Sequence, residues 1–214
     1  MSRIKNLIFD LGGVLLNINY AKTTEAFKKL GVNNFDAVYS QAKQTSLFDD
    51  FETGKISPEK FVVQVKNLLD VKCTDDEIIT SWNAMLLDFP KERLDLLQQL
   101  KNKYTIVLLS NTNEIHKKAF LKILQDQHQL NSLAVIFQKV FYSHEINLRK
   151  PNLACFEFVL SNCNFNKNET VFFDDSEQHI VGAQQAGIKA YFVNGNKTIL
   201  DYFDNEFQLK EYLK

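Results

Sequence analysis

Leu7-Ile8-Phe9-Asp10-Leu11-Gly12-Gly13-Val14-Leu15 puts a carboxylate at the point where a short apolar run breaks into a pair of glycines. The run reads as a buried strand, and in an α/β sheet such a strand delivers its last side chain to the crevice beyond the carboxyl ends of the strands. Paired glycines at that exit let a ligand approach the backbone closely. An Asp before Gly-Gly also serves as an ordinary turn residue, so the reading of Asp10 as a reactive group depends on three segments further along the chain.

The first is Ile106-Val107-Leu108-Leu109 running into Ser110-Asn111-Thr112-Asn113, a buried strand followed by a helix that starts near Glu114, with one of the polar residues as its N-cap. The second is Arg149-Lys150-Pro151 ahead of an apolar helical pattern, where Pro151 is expected to start the helix and a Lys beside it is ordinarily solvated. The third is Thr170-Val171-Phe172-Phe173-Asp174-Asp175-Ser176. Adjacent acids at a strand exit repel one another and call for a cation, a strong set of hydrogen bonds or a raised pKa.

Outward from these segments, apolar runs and helical periodicities alternate: Thr105 to Leu109, Ile115 to Leu124, Val140 to Tyr142, Ala154 to Ser161, Thr170 to Phe173, Ile180 to Ala186, Ala190 to Val193. That alternation predicts an α/β fold, a Rossmann-like parallel sheet core with helices on both faces. Between the first strand and Ile106 the spacing is helical, as in Thr24 to Leu30, Phe35 to Ala42 and Pro58 to Leu69, and a helix over Glu92 to Leu100 returns the chain to the sheet. Trp82, Met85 and Leu86 read as packing. Phe48, Phe51 and Glu52 before Thr53-Gly54-Lys55 read either as a loop dipping towards a ligand or as a helix end followed by a new start at Ser57-Pro58.

An Asp at a first strand, a hydroxyl at a second, a Lys before a helix and a later acid pair, taken in that order, resemble the haloacid dehalogenase superfamily, from Leu7 to about Phe203. With Asp201-Tyr202-Phe203, the motifs look most like the bacterial subgroup that includes α-glucose-1-phosphate phosphatases. The resemblance implies a helical cap domain over residues 20–88 inserted in a core of 1–19 and 89–214. It implies catalysis by Asp10, which attacks phosphorus, and Lys150; phosphoryl binding by Ser110, Asn111 and Lys150; and Mg²⁺ held by Asp10, the Gly12 carbonyl and Asp175. Asp174 is left as either an alternative ligand or a residue behind the ligands. The chemistry of the residues agrees: an aspartyl phosphate splits one hard displacement into two easier ones, and Mg²⁺ takes oxygen ligands from one or two carboxylates.

Two departures stand out. Relatives in the superfamily commonly place a general acid, Asp, where this chain has Gly12, and such a group contributes about 10²- to 10⁴-fold in rate. Three explanations stay open. The substrate could be a sugar phosphate such as glucose 1-phosphate, whose anomeric oxygen leaves easily. A cap side chain such as Glu52 or Asp49, or a substrate hydroxyl, could supply the proton. Or the protein binds a phosphorylated metabolite without turnover. The other departure is His179, where relatives place Asp or Asn. A dehalogenase of the same scaffold is the rival enzyme class, but the position of Gly12 would hold an aromatic residue there, and the acid pair Asp174-Asp175 points towards a metal.

A net charge of -1 gives no electrostatic case for nucleic acid. Cys73, Cys155 and Cys163 form no CxxC pair, which suggests neither a disulfide framework nor a zinc site. No run reaches the length of a membrane span and no signal peptide precedes the first strand, so the expectation is a cytoplasmic protein with a small phosphorylated metabolite as its partner. His144, Tyr142 and Ser143 stand near Lys150 without an assigned role.

Overall fold

The computed structural model describes residues 3–32, 35, 39 and 46–210. Its frame is a parallel sheet of five strands, β1 (Asn6–Phe9), β2 (Thr105–Ser110), β3 (Lys139–Tyr142), β4 (Thr170–Asp174) and β5 (Lys189–Phe192), in the order β3-β2-β1-β4-β5. The fold is therefore the Rossmann-like α/β arrangement expected from the alternation of strand and helix. The strand placed first in sequence lies at the centre, with β2 and β4 on either side. The chain leaves it first in one direction and later in the other, so the carboxyl end of β1 is the switch point where such sheets bind ligands.

The strands are continuous apolar runs because both faces are covered. Leu7, Phe9, Leu108 and Phe173 pack on one side with Leu97 and Phe120, while Ile8, Val107, Leu109 and Phe172 pack on the other with Phe156, Ile180 and Ala183.

Four helices lie between β1 and the return to the sheet among the described residues: α1 (Tyr20–Lys29), α2 (Ser46–Glu52), α3 (Pro58–Leu69) and α4 (Asp75–Asn83). The expected helix over Phe35 to Ala42 lies largely outside the described residues. These helices have their own core, in which Phe27 stacks on Phe35 at 4.2 Å and Phe51 on Phe61 at 4.0 Å, around the buried Trp82. Both local readings around Gly54 meet in the structure. Helix α2 ends at Glu52, and Ser57 caps α3 with Pro58 in its first turn, yet Glu52 also turns towards the carboxyl edge of the sheet. Gly54 has φ +71°, and a Cβ there would sit 2.2 Å from the His144 carbonyl, so glycine lets this corner dock on the core.

The two connections run side by side. Asn17 N donates to the Asp88 carbonyl at 2.8 Å, Leu87 N to that of Asn17 at 3.0 Å, and Ile18 bridges Leu86 antiparallel. After them α5 (Lys91–Leu100) and α6 (Glu114–His128) cover one face of the sheet, and α8 (Leu153–Cys163) and α9 (Glu177–Gln185) the other, with the short α7 (Ser143–Ile146) following β3. Asn113 is the N-cap of α6, its Oδ1 accepting from His116 N at 3.0 Å. Among the described residues no helix is long and apolar enough to cross a membrane.

Candidate active site

Asp10 lies one residue beyond β1, and its backbone N–H continues the ladder to the Phe173 carbonyl at 2.9 Å. Its neighbour strand β4 ends at Asp174, which is wholly buried. Between the two carboxylates comes Lys150, also 0% exposed, with Nζ 2.7 Å from Asp10 Oδ1 and 2.6 Å from Asp174 Oδ2. A solvated lysine beside a helix-starting proline was expected here, and neither holds. The Lys150–Pro151 peptide is cis, Pro151 lies in a turn, and α8 begins at Leu153 with Asn152 Oδ1 accepting from Ala154 N. Burial of Lys150 disfavours its charge, but Asp10 and Asp174 outweigh that and leave the ammonium more firmly protonated than usual.

Asn111, expected at the phosphoryl group with the backbone amides that follow Ser110, lines the cavity. Its side chain also grips the backbone of Lys150, Nδ2 donating to the lysine carbonyl at 2.8 Å and Oδ1 accepting from the lysine N–H at 2.9 Å, and so positions the lysine. Ser110 is buried at the end of β2 and lines the cavity.

Asp10, Asp174 and Asp175 each offer an oxygen within 4.8 Å of the others, a donor set that suits a hard divalent cation. The three differ in how they are occupied. Asp174 Oδ1 accepts from Ser176 N at 2.8 Å and lies 2.9 Å from His179 Nδ1, while Oδ2 takes Lys150. Burial pushes the Asp174 carboxyl up, yet Lys150 and His179 together hold it below the ordinary range. Asp10 goes the other way: burial, opposed by Lys150 and assisted by Asp174 and Asp175, raises its carboxyl to about 7. Such a group favours a bound cation, which would hold it ionised. Gly13 has φ +72°, and a Cβ on it would fall 2.2 Å from Asp175 Oδ2. The close approach that the glycine pair permits is therefore that of Asp175. At Gly12 a Cβ would meet Ile18 Cδ1 at 3.2 Å, so Ile18 fills the space beside Gly12.

Above these groups is a cavity of about 80 Å³, whose wall includes Asp10, Gly12, Ser110, Asn111, Asp175 and His179 from the sheet edge. Tyr20, Tyr39, Glu52, Met85 and Leu86 close it from the inserted helices and their return. Met85 and Leu86, read from the sequence as packing, thus also face the cavity, whereas Trp82 stays in the aromatic core. Of the two acids considered as proton donors, Glu52 lines the cavity and Asp49 does not. Arg149 ties both to the loop of Lys150, donating to Asp49 Oδ1 and lying 3.0 Å from Glu52 Oε2. Burial raises the phenols of Tyr20 and Tyr39 well above their usual value.

Ser143 Oγ joins Thr112 N and O at 2.9 Å each, and His144 Nδ1 lies 3.2 Å from the Thr112 carbonyl. Both brace the β2 exit from behind. Sequence reading missed Arg149 and His116 as cavity residues. The signal for His116 was its place three residues after the cap Asn113, in the first turn of a helix rising from the carboxyl edge of the sheet.

The switch-point sheet and its carboxylate–lysine cluster define an enzyme that builds its chemistry on the exit of a central strand. Residues 4–187 match the model of the haloacid dehalogenase-like hydrolases, and the chain belongs to that family. Among its relatives is the D-ribitol-5-phosphate phosphatase of Bacteroides thetaiotaomicron, 28% identical over 190 residues, which span 88% of this chain and 91% of that protein. A solved haloacid dehalogenase family enzyme of the same organism, in complex with magnesium and inorganic phosphate, is 34% identical with a TM-score of 0.84, over 94% of this chain and all (100%) of that one. An HAD-like family hydrolase of Porphyromonas gingivalis is 27% identical with a TM-score of 0.81, over 92% of this chain and 94% of its own.

Proposed function

We propose that the chain is a Mg²⁺-dependent phosphomonoesterase acting on a small sugar or sugar-alcohol phosphate. The observation that carries this reading is the buried lysine shared by Asp10 and Asp174, with Asp175 within reach of both carboxylates. Magnesium and phosphate in a relative that matches along its whole length support it, as does a ribitol-phosphate phosphatase among the relatives. The proposed division is a cap over residues 20–88 above a core of 1–19 and 89–214, so that substrate is enclosed between the two.

In the proposed mechanism Asp10 attacks phosphorus, the bond from phosphorus to the alcohol oxygen breaks, and the leaving oxygen takes its proton from solvent water. Water then opens the aspartyl phosphate, releasing inorganic phosphate and regenerating the carboxylate. Lys150 offsets the growing negative charge at the phosphoryl oxygens, and Ser110 donates a hydrogen bond to them. Magnesium, when bound, supplies charge neutralisation between carboxylate and phosphate. Asp10 and Asp175, with the Gly12 carbonyl, are its proposed ligands. Asp174, whose oxygens already accept three hydrogen bonds, is placed behind them as the anchor of Lys150 and His179.

Leaving-group protonation is where two substrates part. Gly12 offers no proton, and Glu52 lies 3.0 Å from Arg149. A glucose 1-phosphate preference fits that lack, because an anomeric oxygen leaves readily; ribitol 5-phosphate fits the relative. Phosphate release from both, with Mg²⁺ or EDTA and with Asp10→Asn as control, decides. Metal-dependent release that disappears in Asp10→Asn is expected, with a loss of about 10³-fold or more. Release that persists in the variant or in EDTA would sink the mechanism, and the ratio of the two substrates assigns the leaving group.

A further inference from the structure

His116 sits in the first turn of α6, where its ring stacks on Trp82 at 4.7 Å with 13° between the planes. Its Nδ1 lies 2.9 Å from Asn83 Oδ1. An amide oxygen only accepts, so Nδ1 carries the proton and Nε2 presents a lone pair. Among the described residues that Nε2 is buried with no hydrogen-bond partner, on a residue 6% exposed that lines the cavity. We propose that His116 is a specificity-determining residue whose Nε2 accepts a hydrogen bond from a hydroxyl on the leaving-group side of the substrate, a reading that rests on the phosphatase assignment above.

Packing alone does not account for this residue. A phenylalanine would stack on Trp82 equally well and leave no orphaned acceptor, and buried polar atoms nearly always find a partner. Among the described residues Asn83 supplies a partner for one ring nitrogen, and the other has none on a residue that lines the cavity. Proton transfer is not its use either, because burial lowers the imidazole to about 3 and keeps it neutral through the working range. A neutral acceptor selects a hydroxyl donor and gives nothing to a carboxylate or a plain hydrocarbon. The substrate class this favours is a polyol or sugar phosphate over an alkyl or aryl phosphate. The carboxylate–lysine end of the cavity does not make that distinction, since it meets the same phosphoryl group in each.

The test compares kcat/KM for ribitol 5-phosphate and for p-nitrophenyl phosphate in wild type, His116→Phe and His116→Gln, each first checked for folding by thermal unfolding. The ratio of the two substrates is expected to fall about 10-fold in His116→Phe, and to be partly restored in His116→Gln, which keeps an acceptor. A ratio within about twofold of wild type in a folded His116→Phe overturns the proposal, because a merely structural role lowers both substrates together. Should His116→Phe not fold, His116→Met fills the same space with a flexible side chain and takes its place.

A second readout needs no turnover. In the Asp10→Asn background, calorimetry gives the affinity for ribitol 5-phosphate relative to inorganic phosphate, and His116→Phe is expected to narrow that ratio. If wild type releases phosphate from neither substrate, the phosphatase reading fails while the binding ratio still decides His116: a narrowed ratio supports the hydroxyl contact and an unchanged one overturns it.

Discussion

The two walls of the cavity are held by opposite physics. At the sheet edge Asp10, Lys150, Asp174 and His179 form a chain of buried charges and hydrogen bonds in which each group is held by the next. Across from it the inserted helices present a wall backed by stacked rings, Phe27 on Phe35, Phe51 on Phe61 and Trp82 on His116. Close-packed rings tolerate exchange of size and shape at moderate cost, whereas a buried ion chain fails when one member goes. The difference teaches where the proposed roles fit: the reaction at the wall that cannot vary, and substrate choice at the wall that can.

The largest expected effect breaks the first wall. Lys150→Met keeps the length of the side chain and strands two carboxylates in a buried site. A loss of about 3–5 kcal/mol in denaturant unfolding is expected, together with about 10³-fold in phosphate release. Protonation would relieve the stranded pair, so the stability deficit should shrink as pH falls. A Lys150→Met protein that is as stable and active as wild type would remove the contrast between the walls altogether.

Arg149 joins the walls and ranks next. Its partner Asp49 is 45% exposed at the side chain while Glu52 is 7% exposed, so the two arms differ in worth. The exposed arm contributes little, and the loss on Arg149→Met comes mainly from the arm to the buried Glu52, about 1–3 kcal/mol. Kinetically the expected change is a rise of about tenfold in KM with kcat nearly kept, because the lysine and carboxylates beneath are untouched. A fall in kcat as deep as that of Lys150→Met would show that the link between the walls is itself part of the chemistry.

The ion chain was far more legible in the sequence than the aromatic wall, and for a physical reason. Strand exits are marked by apolar runs that stop at Asp10, Ser110 and Asp174, and a parallel sheet gathers such exits at one edge whatever lies between them. Lys150 was found by its motif, but its burial was not, because the turn at Pro151 that carries it inward leaves no periodic trace. Nothing local reveals that the Asn111 side-chain amide pairs with a backbone 39 residues away. His116 reaches the cavity only through the packing of helices on helices, where spacing gives the buried face and says nothing of which residue tops the cavity. His179 reads as a departure from relatives, and its place against Asp174 explains it: the imidazole steadies the carboxylate that holds the lysine.

The smallest effect separates the walls by their protons. Burial raises Asp10 to about 7, so this group contributes stability below the ordinary carboxylate range and loses it as pH climbs through about 7. Asp174 has the opposite sign, since Lys150 and His179 outweigh its burial and lower it; its contribution is present above the ordinary range and is lost as pH falls below it. In the proposed mechanism Asp10 is ionised both to attack phosphorus and to hold a cation, so protons and Mg²⁺ would compete for it. Apparent Mg²⁺ affinity, read from the thermal shift without substrate, is expected to weaken by up to about tenfold per pH unit below the Asp10 value of about 7. The acidic limb of kcat/KM should move to lower pH as Mg²⁺ is raised. The aromatic wall cannot mimic this, because His116 stays neutral down to about 3 and burial raises the Tyr20 and Tyr39 phenols. A limb that ignores Mg²⁺ would therefore remove Asp10 from the ligand set while leaving its pairing with Lys150 intact.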